Sequence, residues 1–164
     1  MQRPLFGGAI TCAIPNDWRD VSDIRQVPDH QECWQDTEGR LLAVEILERQ
    51  QVEDGNAAQY FFDDLADVDS NAASEKIFTP IPPSTVSLEG LPASTKLCLG
   101  VGYQRLKLGR DVDIAGNPRK QESRAIRVEV CVVRLLEKET DILITLSTPS
   151  EPNPQETTRQ VLQQ

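Results

Sequence analysis

The sequence predicts an α+β fold, an antiparallel sheet of about six strands with at least one covering helix. Three observations carry this. Ile126, Val128, Val130 and Val132 alternate with Arg127, Glu129, Cys131 and Val133, and after Glu137-Lys138-Glu139 the residues Ile142, Ile144 and Leu146 alternate again. That is the pattern of an antiparallel hairpin. Ala58, Phe61, Phe62 and Leu65 recur at i, i+3, i+4 and i+7, the spacing of a helix with one apolar face. At 164 residues the chain can hold one core without disulfide staples, and a single domain over 1–164 is expected.

The elements follow in order. Ala9 to Ile14 reads as a first strand, stopped by Pro15-Asn16-Asp17. Trp18 to Asp29 is polar and without sustained period, a structured loop with one helical turn capped by Ser22. Glu32 to Gln35 is a short strand, and Thr37 to Arg40 turns into Leu41–Glu48, the clearest strand of the first half. Asp54-Gly55-Asn56 starts the helix, with Asn56 as N-cap and Asp63, Asp64 and Asp67 on the solvent side. Its apolar face should pack on Val44, Ile46, Val128, Val130, Ile142 and Ile144. Residues 79–93 form an extended connection with a short strand near Val86-Ser87-Leu88. Leu97, Leu99, Val101 and Tyr103 alternate in a strand that can continue to Leu108, and Gly109 to Gln121 is a hairpin loop. The segment 149–154 ends the sheet, and a helix begins near Thr157.

Charge and composition narrow the function. Seventeen basic and 26 acidic residues give a net charge of −9, which argues against a nucleic-acid partner. Residues 1–75 carry a balance of −11 and residues 76–164 a balance of +2. The first half is therefore either a well-solvated surface or an acidic docking face. No apolar run approaches the ~20 residues of a membrane helix, and Met1–Gly8 has no apolar core of the signal-peptide kind. Membrane insertion is not expected. Cys12, Cys33, Cys98 and Cys131 are widely spaced, with His30 as the single histidine, so neither a metal site nor a disulfide framework is expected.

Layouts for chemistry are missing. There is no phosphate-cradling GxxxxGK[ST] loop, and Gly100-Val101-Gly102 sits inside a strand pattern without a third glycine. GxSxG is absent, and His30 lies in a polar loop. No cofactor is implied, and a binding protein is a better reading than an enzyme.

Leu5-Phe6-Gly7-Gly8-Ala9-Ile10, followed by Asp20-Val21-Ser22-Asp23-Ile24-Arg25-Gln26-Val27-Pro28-Asp29-His30-Gln31-Glu32, resembles the Ran guanine nucleotide release factor family, the Mog-type nuclear import factors. Val44 to Glu48, Ala57 to Leu65, and Arg134-Leu135-Leu136 with Thr140 to Thr145 extend the match. The resemblance implies a twisted antiparallel sheet with flanking helices on both sides, shared in outline with the photosystem protein PsbP. It implies a non-catalytic, monomeric factor of nucleus and cytoplasm that binds Ran, with room for a second Ran-binding protein, and promotes release of guanine nucleotide. The Ran-binding surface it implies comprises Asp20, Asp23, Arg25, Gln26, Pro28, Asp29, Gln31, Glu32, Glu45 and Glu48. Family members usually end in a full helix after the Pro-rich segment, which here would be shortened.

Two alternatives belong to other classes: an adaptor escorting a membrane protein to the cell surface, and a ligand-binding PsbP-like domain. Strand geometry adds a constraint. Positions 45 and 48 differ by three and point to opposite faces of a regular strand. For both to serve one surface, the strand must twist, bulge or end before Glu48. Glu45 alone reads as the outward face of an edge strand. Asp20, Asp23 and Asp29 suit loop and cap chemistry as well as binding. Arg25 is a candidate to hold the loop through Asp29 or Glu32. Trp34 is expected in the core rather than at an interface.

Overall fold

The computed structural model describes residues 1–68, 76–82, 90–108 and 122–150. Among these residues it shows an α+β protein with nine strands in two sheets. β1 (Gln2–Leu5) and β2 (Ile10–Ala13) pair as a small hairpin. β3 (Arg19–Asp20), β4 (Gln31–Gln35), β5 (Leu41–Glu48), β6 (Lys76–Ile81), β7 (Lys96–Leu108), β8 (Glu122–Leu135) and β9 (Thr140–Ser150) form a seven-stranded sheet in the order β3-β4-β5-β9-β8-β7-β6. All its pairings are antiparallel. The expected β8–β9 hairpin is present, with Val132 opposite Leu143.

The single α-helix among the described residues, α1 (Asp54–Val68), lies on one face. It starts two residues before the expected cap, so Asn56 is inside it. Ala57, Ala58, Phe61 and Phe62 pack on Cys98, Val128, Val130, Val132 and Leu143. Val44, Ile142 and Ile144, expected under the helix, are on the opposite face with Leu5, Ile14, Trp18 and Trp34. Among the described residues the β1–β2 hairpin covers that face. Alternation shows that two rows exist along a strand; it does not say which row the helix takes. The expected strand near Val86, the loop Gly109 to Gln121 and the helix after Thr157 lie outside the described residues.

Two glycines of β7 each admit a ring, Gly102 that of Phe62 on α1 and Gly100 that of Phe78 on β6. A Cβ on Gly102 would stand 2.1 Å from Phe62 Cε2, and one on Gly100 1.9 Å from Phe78 Cζ. The two rings stack beside each other on this bare backbone, centroids 5.2 Å apart. Glycine is a poor strand former, and here close approach explains it.

At the far end of α1 a charged group is fully enclosed. Arg134 on β8 is 1% exposed and Asp141 on β9 0%. The guanidinium donates to Asp141 Oδ1 at 3.1 Å and Oδ2 at 3.4 Å, to the Gln50 carbonyl at 2.6 Å, to the Val52 carbonyl at 2.7 Å and to Asp54 Oδ1 at 2.9 Å. Asp141 Oδ2 also accepts the Gln50 N–H at 3.0 Å. All five guanidinium N–H groups have partners, which is what makes a buried arginine tolerable.

Two stability tests follow from these contacts. Phe62→Ala should cost about 3–5 kcal/mol in a urea melt. Gly102→Ala should cost about 1–3 kcal/mol by overpacking, and much less when made in the Phe62→Ala background, because the clashing ring is gone. Arg134→Met should cost about 3–5 kcal/mol by leaving Asp141 buried and unpaired, and Arg134→Met with Asp141→Leu should recover a large part of it.

Candidate functional site

The site is built on the segment between β3 and β4. Asp20 ends β3 and turns the chain into the short 3-10 turn Val21–Asp23. Its Oδ1 accepts the Ser22 N–H at 2.8 Å and the Ser22 hydroxyl at 2.7 Å. The cap is therefore Asp20, not Ser22 as expected, because a carboxylate at this position reaches the free N–H two residues on. The Val21 carbonyl accepts the N–H groups of Ile24 at 2.9 Å and Arg25 at 3.0 Å, and the Pro28 carbonyl accepts that of Gln31 at 2.9 Å. Val21 is buried against Cys33 and Ala43, with Val27 and Leu41 packed beside them. These valines fasten the loop to the sheet on the same face as α1. Asp23, Ile24, Arg25, Gln26, Pro28 and Asp29 are left exposed.

β5 carries the other candidates. It is an internal strand between β4 and β9, so Glu45 is not on a sheet edge. Glu45 is half-buried opposite Gln31, whose side-chain amide donates to its carboxylate. The row Leu41, Ala43, Glu45, Leu47 runs from the loop valines to the helix cluster, with Glu45 in the gap. Burial pushes the Cys33 thiol above its ordinary range, Arg25 pulls it back, and Glu45 and Asp20 push it further up. Among the described residues Arg25 is exposed and forms no ion pair with Asp29 or Glu32.

Glu48 is apart from this group. β5 is regular through its pairing with Thr140, so Glu48 is exposed on the opposite face from Glu45. No bulge or early end brings the two carboxylates together. Glu32 is also turned away, and its carboxylate accepts the N–H of Phe6. Phe6 has φ 51 and Gly7 φ 66, so this carboxylate steadies a tight turn that an L side chain adopts at a cost. Trp34 is 8% exposed in the core, with the Arg3 guanidinium 4.5 Å from its ring centroid.

An open cleft of about 710 Å³ runs along the edge of β4, lined by Arg3, Asp20, Ser22, Gln31, Glu32 and Trp34 among others. β3 pairs only with Gln35 and Trp34, and so leaves the Gln31–Cys33 stretch of that edge uncovered by a strand. Among the described residues no group of three or more His, Cys, Asp or Glu is placed to hold a metal ion. None of the described helices is long and apolar enough to cross a membrane. The exposed Ile24 escaped the candidate set, although it stood out as an apolar residue in a polar loop.

The described residues thus form an antiparallel sheet with one helix and, beside it, a loop with exposed Asp23 and Asp29. A family model described as "Ran-interacting Mog1 protein" matches residues 3–149, and the chain belongs to that family. It is 32% identical over 162 residues to the Ran guanine nucleotide release factor of Danio rerio, covering 94% of this chain and 81% of that protein. It is 33% identical over 150 residues to the nuclear import protein mog1 of Schizosaccharomyces pombe, covering 88% and 75%. The crystal structure of the Saccharomyces cerevisiae Ran-binding protein Mog1p superposes with a TM-score of 0.67 at 21% identity, over 98% of this chain and 82% of that one, and shows the shared fold.

The four thiols are free: Cys33 and Cys98 buried, Cys12 and Cys131 half-buried. Burial raises all four, and Cys131 is pushed up to about 11 by burial and, secondarily, by the Cys98 thiol. A raised thiol stays protonated at pH 8, so native protein should be alkylated slowly by iodoacetamide, Cys131 slowest of the four. In denaturant all four should react quickly, as followed by mass spectrometry.

Proposed function

We propose that this chain binds the small GTPase Ran and promotes release of its guanine nucleotide, in support of nuclear protein import. The observation that carries this is the family match over residues 3–149, together with relatives named for that role. The factor acts as one domain over 1–164 and as a monomer, without covalent chemistry, in nucleus and cytoplasm, and a second Ran-binding protein can join the complex. It works by binding nucleotide-free Ran better than loaded Ran. Linkage then requires that nucleotide and factor weaken each other by the same ratio.

The docking surface is the loop with Asp23, Arg25, Gln26, Pro28 and Asp29, continued by Gln31 and Glu45 on the helix face. Asp20 acts on it from behind through its hydrogen bonds to Ser22, whereas Glu32 holds the Phe6 turn on the other face. Glu48 contributes from the rim of the opposite face. An acid-rich first half speeds encounter with a basic partner and makes the association sensitive to salt, since the screening length is ~10 Å at 0.1 M.

The direct test is release of a fluorescent nucleotide from Ran. The rate should rise with added protein, and an unchanged rate sinks the reading. Glu45→Ala should weaken binding to nucleotide-free Ran by about 1–3 kcal/mol, and Glu48→Ala by less than about 1 kcal/mol, as suits an exposed rim charge. Glu45→Lys with Glu48→Lys should abolish binding, because like charges facing a basic patch cost several kcal/mol. A thermal melt of each variant separates lost contact from lost folding.

A further inference from the structure

We propose that Ile24 is the apolar anchor of the Ran-docking surface, the side chain that enters a hydrophobic pocket on the GTPase while the charges around it set orientation. This rests on the Ran-binding reading above and names a residue which that reading does not include. Ile24 is 68% exposed, the most exposed large hydrophobic side chain of the described residues apart from the terminal Met1. A lone exposed isoleucine carries little weight. Its setting supplies the argument.

First, nothing local requires isoleucine. Ile24 closes the 3-10 turn in a right-handed helical conformation with φ −109 and ψ −40, which a polar residue adopts as readily, and its N–H is held by the Val21 carbonyl. Burial of the loop is done by its neighbours Val21 and Val27. Second, the turn is pre-organised. Asp20 caps it, two N–H groups converge on the Val21 carbonyl, and the Pro28–Gln31 bond closes the loop. Little ordering entropy remains to be lost when Ile24 is gripped. Third, the flanks are polar, with two acids to one base. Asp23 and Arg25 are its immediate neighbours, Gln26 and Asp29 follow, and all are exposed. An apolar centre with a charged rim is the anatomy of an interface hot spot, and the negative excess of the rim selects a pocket bordered by basic side chains.

Ile24→Ser should lower affinity for nucleotide-free Ran at least tenfold with an unchanged thermal melt, and Ile24→Leu should retain most of the binding. The loss in Ile24→Ser should be the same at low and high salt, whereas the loss in Asp23→Lys should shrink as salt rises. In the wild-type protein the Ile24 δ-methyl NMR signal should shift or broaden on addition of Ran, a readout that needs no variant to fold. Wild-type binding with an equally tight Ile24→Ser variant, or an unmoved Ile24 methyl signal in the complex, overturns the anchor and leaves the Ran reading standing. Failure of the wild-type chain to bind Ran in any nucleotide state overturns both.

Discussion

A guanidinium with no access to water has to find five acceptors inside the protein, and Arg134 finds them on three separate pieces of chain. Asp141 lies beside it on β9, Gln50 and Val52 are in the link from β5, and Asp54 opens α1. Burying such a group alone costs many kcal/mol, so these pieces cannot drift apart singly. The helix can then begin at only one place relative to β8 and β9. From that starting point its second and third turns fall over Gly102, where the bare backbone admits the Phe62 ring. The side chain that looks least like core material determines how the core is assembled.

The same geometry shapes the proposed docking surface. α1 covers the β6–β8 half of one face, and the loop valines cover its β4–β5 end. Glu45 occupies the unclosed strip between the two covers. The Asp20 carboxylate is consumed in holding the loop, that of Glu32 in holding the Phe6 turn, and those of Asp23 and Asp29 are open to solvent. Acid content alone does not distinguish these roles; the distinction comes from which N–H groups are left free by a tight turn. Asp20 serves Ser22, and Glu32 serves Phe6 across the chain.

Much of the fold was legible in the residues. The alternation in Leu41–Glu48, Leu97–Tyr103, Ile126–Val133 and Ile142–Leu146 marks strands now seen at β5, β7, β8 and β9, and the Ala58–Leu65 period marks α1. β1 was not legible: Arg3 and Pro4 leave only Leu5 as an apolar residue, and its partner is β2 rather than the main sheet. Nor was the assignment of rows to faces, so Val44 and Val128 read alike although they face opposite covers. The parity of positions 45 and 48 did anticipate their separation. What strand parity could not reveal was that Glu45 is internal, because the neighbours of a strand are set by pairings distant in the chain.

The last described strand is also the middle of the sheet. β9 lies between β5 and β8, joining β3-β4-β5 to β8-β7-β6. On a ribosome, both groups of strands emerge before the piece that unites them, and Asp141 is the last of the Arg134 partners to be made. Pairing β9 to β5 closes a loop of roughly ninety residues, as the register of Glu48 with Thr140 implies, and the entropy of such closure slows folding. Until β9 is in place, the two groups of strands present unpaired edges at β5 and β8.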